Sequence, residues 1–69
     1  MSQYRVRFFK TLLSSDGHQF KCLQQQIDVP QAEDDTQAEQ YAAQQLVALR
    51  RCRTWKQIAD VIEVDRADV

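Results

Sequence analysis

Residues 4–29, "YRVRFFKTLLSSDGHQFKCLQQQIDV", decide the fold, because two strand-like segments flank a turn signal in this stretch. The first segment, residues 4–13, opens by alternating apolar side chains with arginines, which is the period of a strand that buries one face. Asp16-Gly17 follows, and this dipeptide predicts a two-residue hairpin turn with positive φ at both positions. The second segment, residues 19–29, is expected to end before Pro30, which cannot donate to a sheet ladder. The stretch therefore predicts a β-hairpin.

The two-residue loop also predicts which residues face each other across the hairpin. Val6 faces Ile27 on the side predicted to be buried, and Arg5 faces Asp28 on the opposite side. Phe8 faces a glutamine in this register, which fits less well and points to a bulge near the glutamines. The same register pairs Tyr4 with Val29, Arg7 with Gln26, Phe9 with Gln24, Lys10 with Leu23, and Leu13 with Phe20.

An alanine-rich segment follows the hairpin and has the pattern of an amphipathic helix. Thr36 followed by Glu39 has the spacing of a capping box, which predicts that the helix starts there, with Asp34 or Asp35 as the alternative start. No glycine or proline occurs before Trp55, so the helix is expected to run to Cys52 or Arg53. Acidic residues near its start and arginines near its end complement the helix dipole. The stripe predicted to face the sheet is Ala38, Ala42, Leu46 and Leu49, flanked by Tyr41 and Cys52.

The last regular segment, "IADVIEVD" at residues 58–65, is β-branched and alternating, which predicts a third strand. A right-handed crossover places this strand beside the first one and antiparallel to it. The charged pairs that this alignment predicts are Arg5 with Asp65, Arg7 with Glu63, and Lys10 with Asp60. The predicted fold class is therefore α+β: a ββαβ chain with a three-stranded sheet in the order 2-1-3 and one helix on one face. It forms a single domain over residues 1–69.

The hairpin stretch, the alanine-rich helix and "WKQIADVIEV" together resemble a set of short bacterial proteins of ββαβ layout. The resemblance spans nearly the whole chain, and it implies the fold but no activity, since none is assigned to that set. The chain also resembles, more loosely, a small archaeal ribosomal protein that has the same ββαβ layout. Those ribosomal proteins are strongly basic, whereas this chain has a net charge of −1, and a shared layout alone does not imply function.

The composition is that of an ordinary globular domain, with 69 residues that are 43% hydrophobic and 28% charged. The small net charge creates no overall field toward nucleic acid or an anionic membrane. No run approaches the roughly 18 apolar residues of a membrane span, and the charged start "MSQYRVRFFK" lacks the apolar stretch of a signal peptide. Two cysteines are too few for a disulfide scaffold. A cytoplasmic protein without membrane association is therefore expected.

Few residues suggest chemistry, and they cluster at the predicted turn. His18 is the single histidine, and Cys22 lies close to it in the chain. One histidine and one cysteine do not make a zinc site, which requires about four ligands. A Cys–His nucleophile would need an orienting group and oxyanion donors, and the sequence has no glycine-rich loop to build them. The sequence therefore predicts a plain turn at "SSDGHQF", with no catalytic residue, cofactor or metal site, and points away from an enzyme.

Two binding hypotheses follow, and the first is a protein-interaction module that forms a homodimer or binds an unidentified protein. The predicted sheet leaves one face open, and an exposed apolar patch there is typical of an interface. The free edges of the second and third strands offer another route to pairing. The alternative is that Trp55 and loop residues fold over the patch. The residues predicted to form the patch are Phe9, Leu13, Phe20, Cys22 and Val61.

The second hypothesis is binding of nucleic acid or another polyanion at the end of the fold that holds the hairpin turn. Basic side chains interleaved with an aromatic residue suit a phosphate backbone and a stacked base. The alternative is a solvated helix end whose arginines only complement the helix dipole. The predicted anion-binding residues are Lys10, Lys21, Arg50, Arg51, Arg53, Trp55 and Lys56. Arg5 and Arg7 are excluded, because carboxylates across the sheet are expected to occupy them.

Overall fold

The computed structural model describes residues 2–67, so positions 1, 68 and 69 of the predicted domain lie outside the described residues. Its elements are β1 (Ser2–Leu13), β2 (Gln19–Ala32), α1 (Asp35–Arg50), a 3₁₀ helix (Trp55–Gln57) and β3 (Val61–Arg66). The three strands form one antiparallel sheet in the order β2-β1-β3. The predicted α+β fold, with its ββαβ order and its strand order, is confirmed.

The core lies between α1 and one face of the sheet, which we call the helix side; the other face is the open side. Phe8 is fully buried on the helix side, and its ring centroid lies 6.1 Å from that of Trp55. The helix stripe is buried as predicted except for Leu49, which is 64% exposed. Four residues after Leu46, the side of the helix that faces the sheet continues with Arg50 rather than with Leu49. The buried apolar residues are Tyr4, Val6, Phe8, Val29, Ala32, Ala38, Ala42, Leu46 and Ala59.

The hairpin turn has a three-residue loop rather than the predicted two-residue loop. Ser14 N donates to His18 O at 2.8 Å, and Gly17 N donates to Ser14 O at 3.0 Å. Gly17 has a φ of 87°, as predicted, but Asp16 does not share it, since Arg51 is the one non-glycine residue with positive φ among residues 2–67. This is a tight turn followed by a left-handed residue, which is the usual three-residue hairpin loop.

The longer loop changes the register of the hairpin next to the turn. Phe9 pairs with Leu23, so the predicted pairs of Phe9 with Gln24, Lys10 with Leu23, and Leu13 with Phe20 are wrong. The pairs observed instead are Lys10 with Cys22, Thr11 with Lys21, Leu12 with Phe20, and Leu13 with Gln19. A bulge then leaves Gln24 unpaired and restores the predicted register from Phe8–Gln25 to Tyr4–Val29.

Two strand boundaries also differ from the prediction. β2 continues past Pro30 to Ala32, because Pro30 lies on an edge strand at a second register shift, where its missing N–H breaks no regular ladder. β3 begins at Val61 instead of residue 58, since the chain after the 3₁₀ helix is still turning toward the sheet. The predicted pairing of β1 with β3 is confirmed from Tyr4–Arg66 to Phe9–Val61.

The N-cap of α1 is Asp34, so the predicted cap at Thr36 is wrong. Asp34 Oδ1 accepts from Gln37 N at 2.8 Å, and Gln37 Oε1 accepts from Glu33 N at 2.7 Å. Thr36 is the second residue of the helix. The helix ends at Arg50, earlier than predicted, because Arg51 takes the left-handed conformation of a helix C-cap, with a φ of 54°.

Asp34→Ala is expected to lower the free energy of unfolding by about 1 kcal/mol, because it removes the acceptor that caps the first turn. Thr36→Ala is the matched control, and we expect it to change that free energy by less than about 0.5 kcal/mol. Urea denaturation of both variants measures the difference. A larger loss in Thr36→Ala than in Asp34→Ala would contradict the assigned helix start.

Candidate functional site

The part of the hairpin next to the turn, residues 10–23, projects beyond the rest of the fold, and we call it the hairpin arm. β3 accompanies β1 only as far as Phe9. The helix ends beside the bulge, where an Arg50 guanidinium nitrogen donates to Gln24 O at 3.0 Å. The molecule measures 44 × 28 × 15 Å. A 14-residue strand spans about 45 Å, so β2 and the arm account for the long dimension.

The arm carries most of the large apolar side chains that the fold leaves exposed. Leu12, Leu13, Phe20 and Leu23 have exposures of 37%, 69%, 47% and 50%. Among residues 2–67, the remaining large hydrophobic side chains that are exposed are those of Tyr41 and Leu49 on α1. A two-stranded ribbon is only marginally stable in water without packing partners. The arm is therefore where this fold leaves apolar surface without a layer to cover it.

The observed register divides the predicted apolar patch between the two sides of the sheet. Alternation along β1 keeps Phe9, Leu13 and Val61 on the open side, as predicted. Phe20 and Cys22 pair with Leu12 and Lys10, so they lie on the helix side, and their predicted place on the open side is wrong. The cause is the three-residue loop, because a shift of one residue moves every side chain of a strand to the opposite face.

Sequence reasoning missed Leu12 and Leu23 as members of this surface. Leu23 replaces Phe20 on the open side, and Leu12 joins Phe20 on the helix side. The adjacent leucines at 12 and 13 were the available signal, since neighbouring strand residues point to opposite faces and both faces are then apolar. Apolar side chains on both faces of a strand are buried only if each face packs against another layer of structure.

Trp55 lies on the helix side and packs against Phe8. The alternative in which Trp55 folds over the open-side patch is therefore wrong. The second hypothesis expected a base to stack on the Trp55 ring. Because this ring packs against Phe8, part of its surface is not accessible to a base. Trp55 also borders a shallow surface groove with Ala43, Val47 and Arg53. This groove lies on the body of the fold, the name we give to the described residues outside the arm, 2–9 and 24–67.

The open side of the sheet carries a row of ion pairs next to the arm. Arg5 Nε lies 3.2 Å from Asp28 Oδ1, as the register predicts. Arg7 pairs with Asp65 instead of its direct neighbour across the strands. The remaining pair joins Lys21 to Glu63 and holds the Lys21 ammonium 5.1 Å from the centre of the Phe9 ring. Carboxylates therefore occupy both strand arginines, as predicted. The predicted ion pairs of Arg5 with Asp65 and of Arg7 with Glu63 are wrong, because Asp65 binds Arg7 and Glu63 binds Lys21.

Asp60 secures the edge of β1 where β3 begins. Its backbone N–H donates to Phe9 O at 2.9 Å, and its carboxylate accepts from Thr11 N at 3.0 Å and from Thr11 Oγ1 at 3.2 Å. The expected partner was Lys10, whose side chain lies on the helix side by strand alternation. Asp60 thus marks the point beyond which the arm has no neighbouring strand.

A double-mutant cycle between Arg7 and Asp65 is expected to show a coupling of about 0.2–1 kcal/mol, the range for exposed ion pairs. The cycle uses Arg7→Ala and Asp65→Ala, with the free energy of unfolding taken from urea denaturation. The control cycle pairs Arg7→Ala with Glu63→Ala, and we expect less coupling there because Glu63 binds Lys21. Stronger coupling of Arg7 to Glu63 than to Asp65 would contradict the observed pairing.

The predicted anion-binding residues divide into those that the fold uses and those that it leaves exposed. Lys21 binds Glu63, Arg50 binds the bulge at Gln24, and Trp55 packs on Phe8. The others are exposed and have no carboxylate partner within residues 2–67: Lys10, Arg51, Arg53 and Lys56. All four lie on the arm or in the segment that follows the end of α1.

The turn at the tip of the arm holds one carboxylate in a polar network. The Asp16 carboxylate accepts from the Ser14 hydroxyl and from the His18 backbone N–H, and these two hydrogen bonds lower the pKa of Asp16 below its ordinary value. His18 Nδ1 lies 3.1 Å from Asp16 Oδ2. The thiols of Cys22 and Cys52 are free. Within residues 2–67 no three His, Cys, Asp or Glu side chains are grouped to hold a metal ion.

No family model, no curated protein and no solved structure matches this chain. In the part of the chain that the structure describes, no helix has the length and apolar character needed to cross a membrane. Function is therefore inferred from the arm and from the charges around it.

Proposed function

We propose that this chain is a non-catalytic interaction module that binds a second copy of itself through the hairpin arm. The observation that carries the proposal is the exposure of large apolar side chains on both sides of a projecting two-stranded ribbon. Apolar groups clustered in this way are typical of interaction surfaces. A second copy would supply the cover that the ribbon lacks.

Packing of side chains between arms is favoured over pairing of strand edges. The free edge of β2 is interrupted by the bulge at Gln24 and by Pro30, and both features oppose the addition of another strand. β3 offers an edge of only six residues. The apolar side chains of the arm have no such obstacle.

Sedimentation equilibrium at increasing protein concentration tests this proposal. The chain is expected to shift from monomer to dimer, and Phe20→Ser is expected to raise the dissociation constant at least tenfold, since burial of a Phe side chain contributes about 1.5–3 kcal/mol. Leu49→Ser is the matched control, because Leu49 is similarly exposed but lies on α1. A chain that stays monomeric at about 1 mM, or an equal effect of Leu49→Ser, would reject self-association through the arm.

The second candidate function is binding of nucleic acid or another polyanion by the exposed cations Lys10, Arg51, Arg53 and Lys56. Their lack of carboxylate partners within residues 2–67 supports it. The negative end of the α1 dipole lies close to Arg51 and opposes the binding of an anion there. Titration with mixed-sequence RNA at about 50 mM salt, where phosphate contacts are strong, tests this candidate, and no binding under those conditions would reject it.

A further inference from the structure

The helix side of the arm has a charge and apolar pattern arranged in three cross-strand rows. Next to the body is the row of Lys10 and Cys22, and in the middle is the row of Leu12 and Phe20. Ser14 and His18 form the row at the tip, joined by the Ser14 N–His18 O hydrogen bond. The helix side is therefore cationic near the body and apolar in the middle.

The tip adds a negative charge at the far end of this pattern. The Asp16 side chain is 65% exposed, and its two oxygens keep lone pairs beyond those used by Ser14 and His18. Arg51 and Arg53 follow the end of α1, which lies beside the bulge at Gln24 through Arg50, and they add positive charge to this end of the helix. Two arms placed antiparallel would bring each tip to the cationic end of the other arm and would place the two apolar rows against each other.

The open side of the arm is less suited to a contact between copies. The Phe9 ring, which borders the arm on this side, already lies under the Lys21 ammonium, which is held by Glu63. The neighbouring ion pairs of Arg5 and Arg7 would lose solvent in a face-to-face contact, and desolvation of paired charges offsets much of their attraction. On the helix side, Lys10 has no carboxylate partner within the described residues and gains one in the antiparallel arrangement.

We infer that two copies pack the helix sides of their arms together, antiparallel, about a two-fold axis that passes between their rows of Leu12 and Phe20. Lys10 of each copy then faces the tip that carries Asp16 in the other copy. Such an interface is self-complementary, as a two-fold contact requires. The inference rests on the proposed self-association and specifies the surface through which it occurs.

Mixing two charge-reversal variants tests the arrangement. Lys10→Glu alone and Asp16→Lys alone each place like charges together twice in a homodimer, so each is expected to raise the dissociation constant roughly tenfold. A mixture of the two variants places opposite charges together at both contacts and is expected to form a one-to-one heterodimer, measured by native mass spectrometry. Lys21→Glu mixed with Asp16→Lys is the control, since Lys21 lies on the open side of the same arm.

Reactivity of the Cys22 thiol provides a second measurement that leaves the turn unchanged. In a Cys52→Ser variant, the rate of Cys22 modification by a thiol reagent is expected to fall several-fold as the protein concentration increases and dimers form. The control is Thr11→Cys in a Cys22→Ser and Cys52→Ser background, which places the thiol on the open side. Its rate is expected to stay constant.

The outcomes separate this inference from the proposal on which it rests. A dimer in sedimentation whose formation protects the thiol at position 11 but not Cys22, or a mixture that forms no heterodimer, would overturn helix-side packing and leave self-association intact. A chain that sediments as a monomer would overturn both.

Discussion

Phe8→Ala is expected to lower the free energy of unfolding by about 3–5 kcal/mol. Phe8 is fully buried, and its removal leaves a cavity beneath Trp55 that the sheet backbone cannot close. Domains of 69 residues have a total stability of about 3–10 kcal/mol, so this loss is a large fraction of the free energy of unfolding. Urea denaturation followed by Trp55 fluorescence measures the loss.

The adjacent residue supplies the control for this experiment. Phe9→Ala removes an aromatic ring of the same size from the open side, where it contacts the Lys21 ammonium. We expect a loss of about 1 kcal/mol, since this ring is only partly buried. Equal losses in the two variants would contradict the assignment of the two sheet faces.

Gly17→Val is expected to lower the free energy of unfolding by about 2 kcal/mol, because Gly17 has a φ of 87° that a β-branched residue resists strongly. A Cβ at position 17 would meet no atom within 4 Å outside residues 16–18, so the cost comes from the backbone conformation. Thermal unfolding monitored by circular dichroism measures it.

Two further variants separate backbone strain from loss of side-chain contacts at the turn. Gly17→Asn is expected to cost less than Gly17→Val, since Asn tolerates the left-handed region better than other residues with a Cβ. His18→Ala is expected to change the free energy of unfolding by less than about 0.5 kcal/mol, because the His18 side chain is exposed. A His18→Ala variant less stable than Gly17→Val would contradict this account of the turn.

The pairing of β1 with β3 could be predicted from the sequence because several constraints agree. A shift of one residue would turn Val64 and Ile62 away from the core and place Arg5 and Arg7 beside apolar residues. The strand order follows from the crossover rule in the same way. These features depend on alternation over many residues, which a local irregularity does not change.

The turn at Asp16-Gly17 was predicted, but the length of its loop and the N-cap of the helix could not be, because the sequence is locally ambiguous at both places. Asp16-Gly17 fits a two-residue loop and also the last two positions of a three-residue loop. Asp34 with Gln37 has the same capping spacing as Thr36 with Glu39. Tertiary packing decides between the two loop lengths and between the two caps, and the local sequence pattern does not show its effect.

The candidate site was predicted only in part, because its side chains depend on the hairpin register. The misfit of Phe8 with a glutamine predicted a bulge near the glutamines, and the structure confirms it; because glutamines have no preference for either face, the sequence did not show that the bulge lies at Gln24. The number of apolar residues near the turn was evident, but their division between the two faces was not. That division changes the expected interface from the open side to the helix side of the arm.

Amide hydrogen exchange of the unmodified chain, measured at increasing protein concentration, tests self-association through the arm most directly. A two-stranded ribbon without cover opens readily, so its amides exchange fast in the monomer. We predict that protection of residues 10–23 increases between about 10 μM and about 1 mM protein, while protection within α1 stays constant. Exchange in residues 10–23 that does not change over this range would contradict the account.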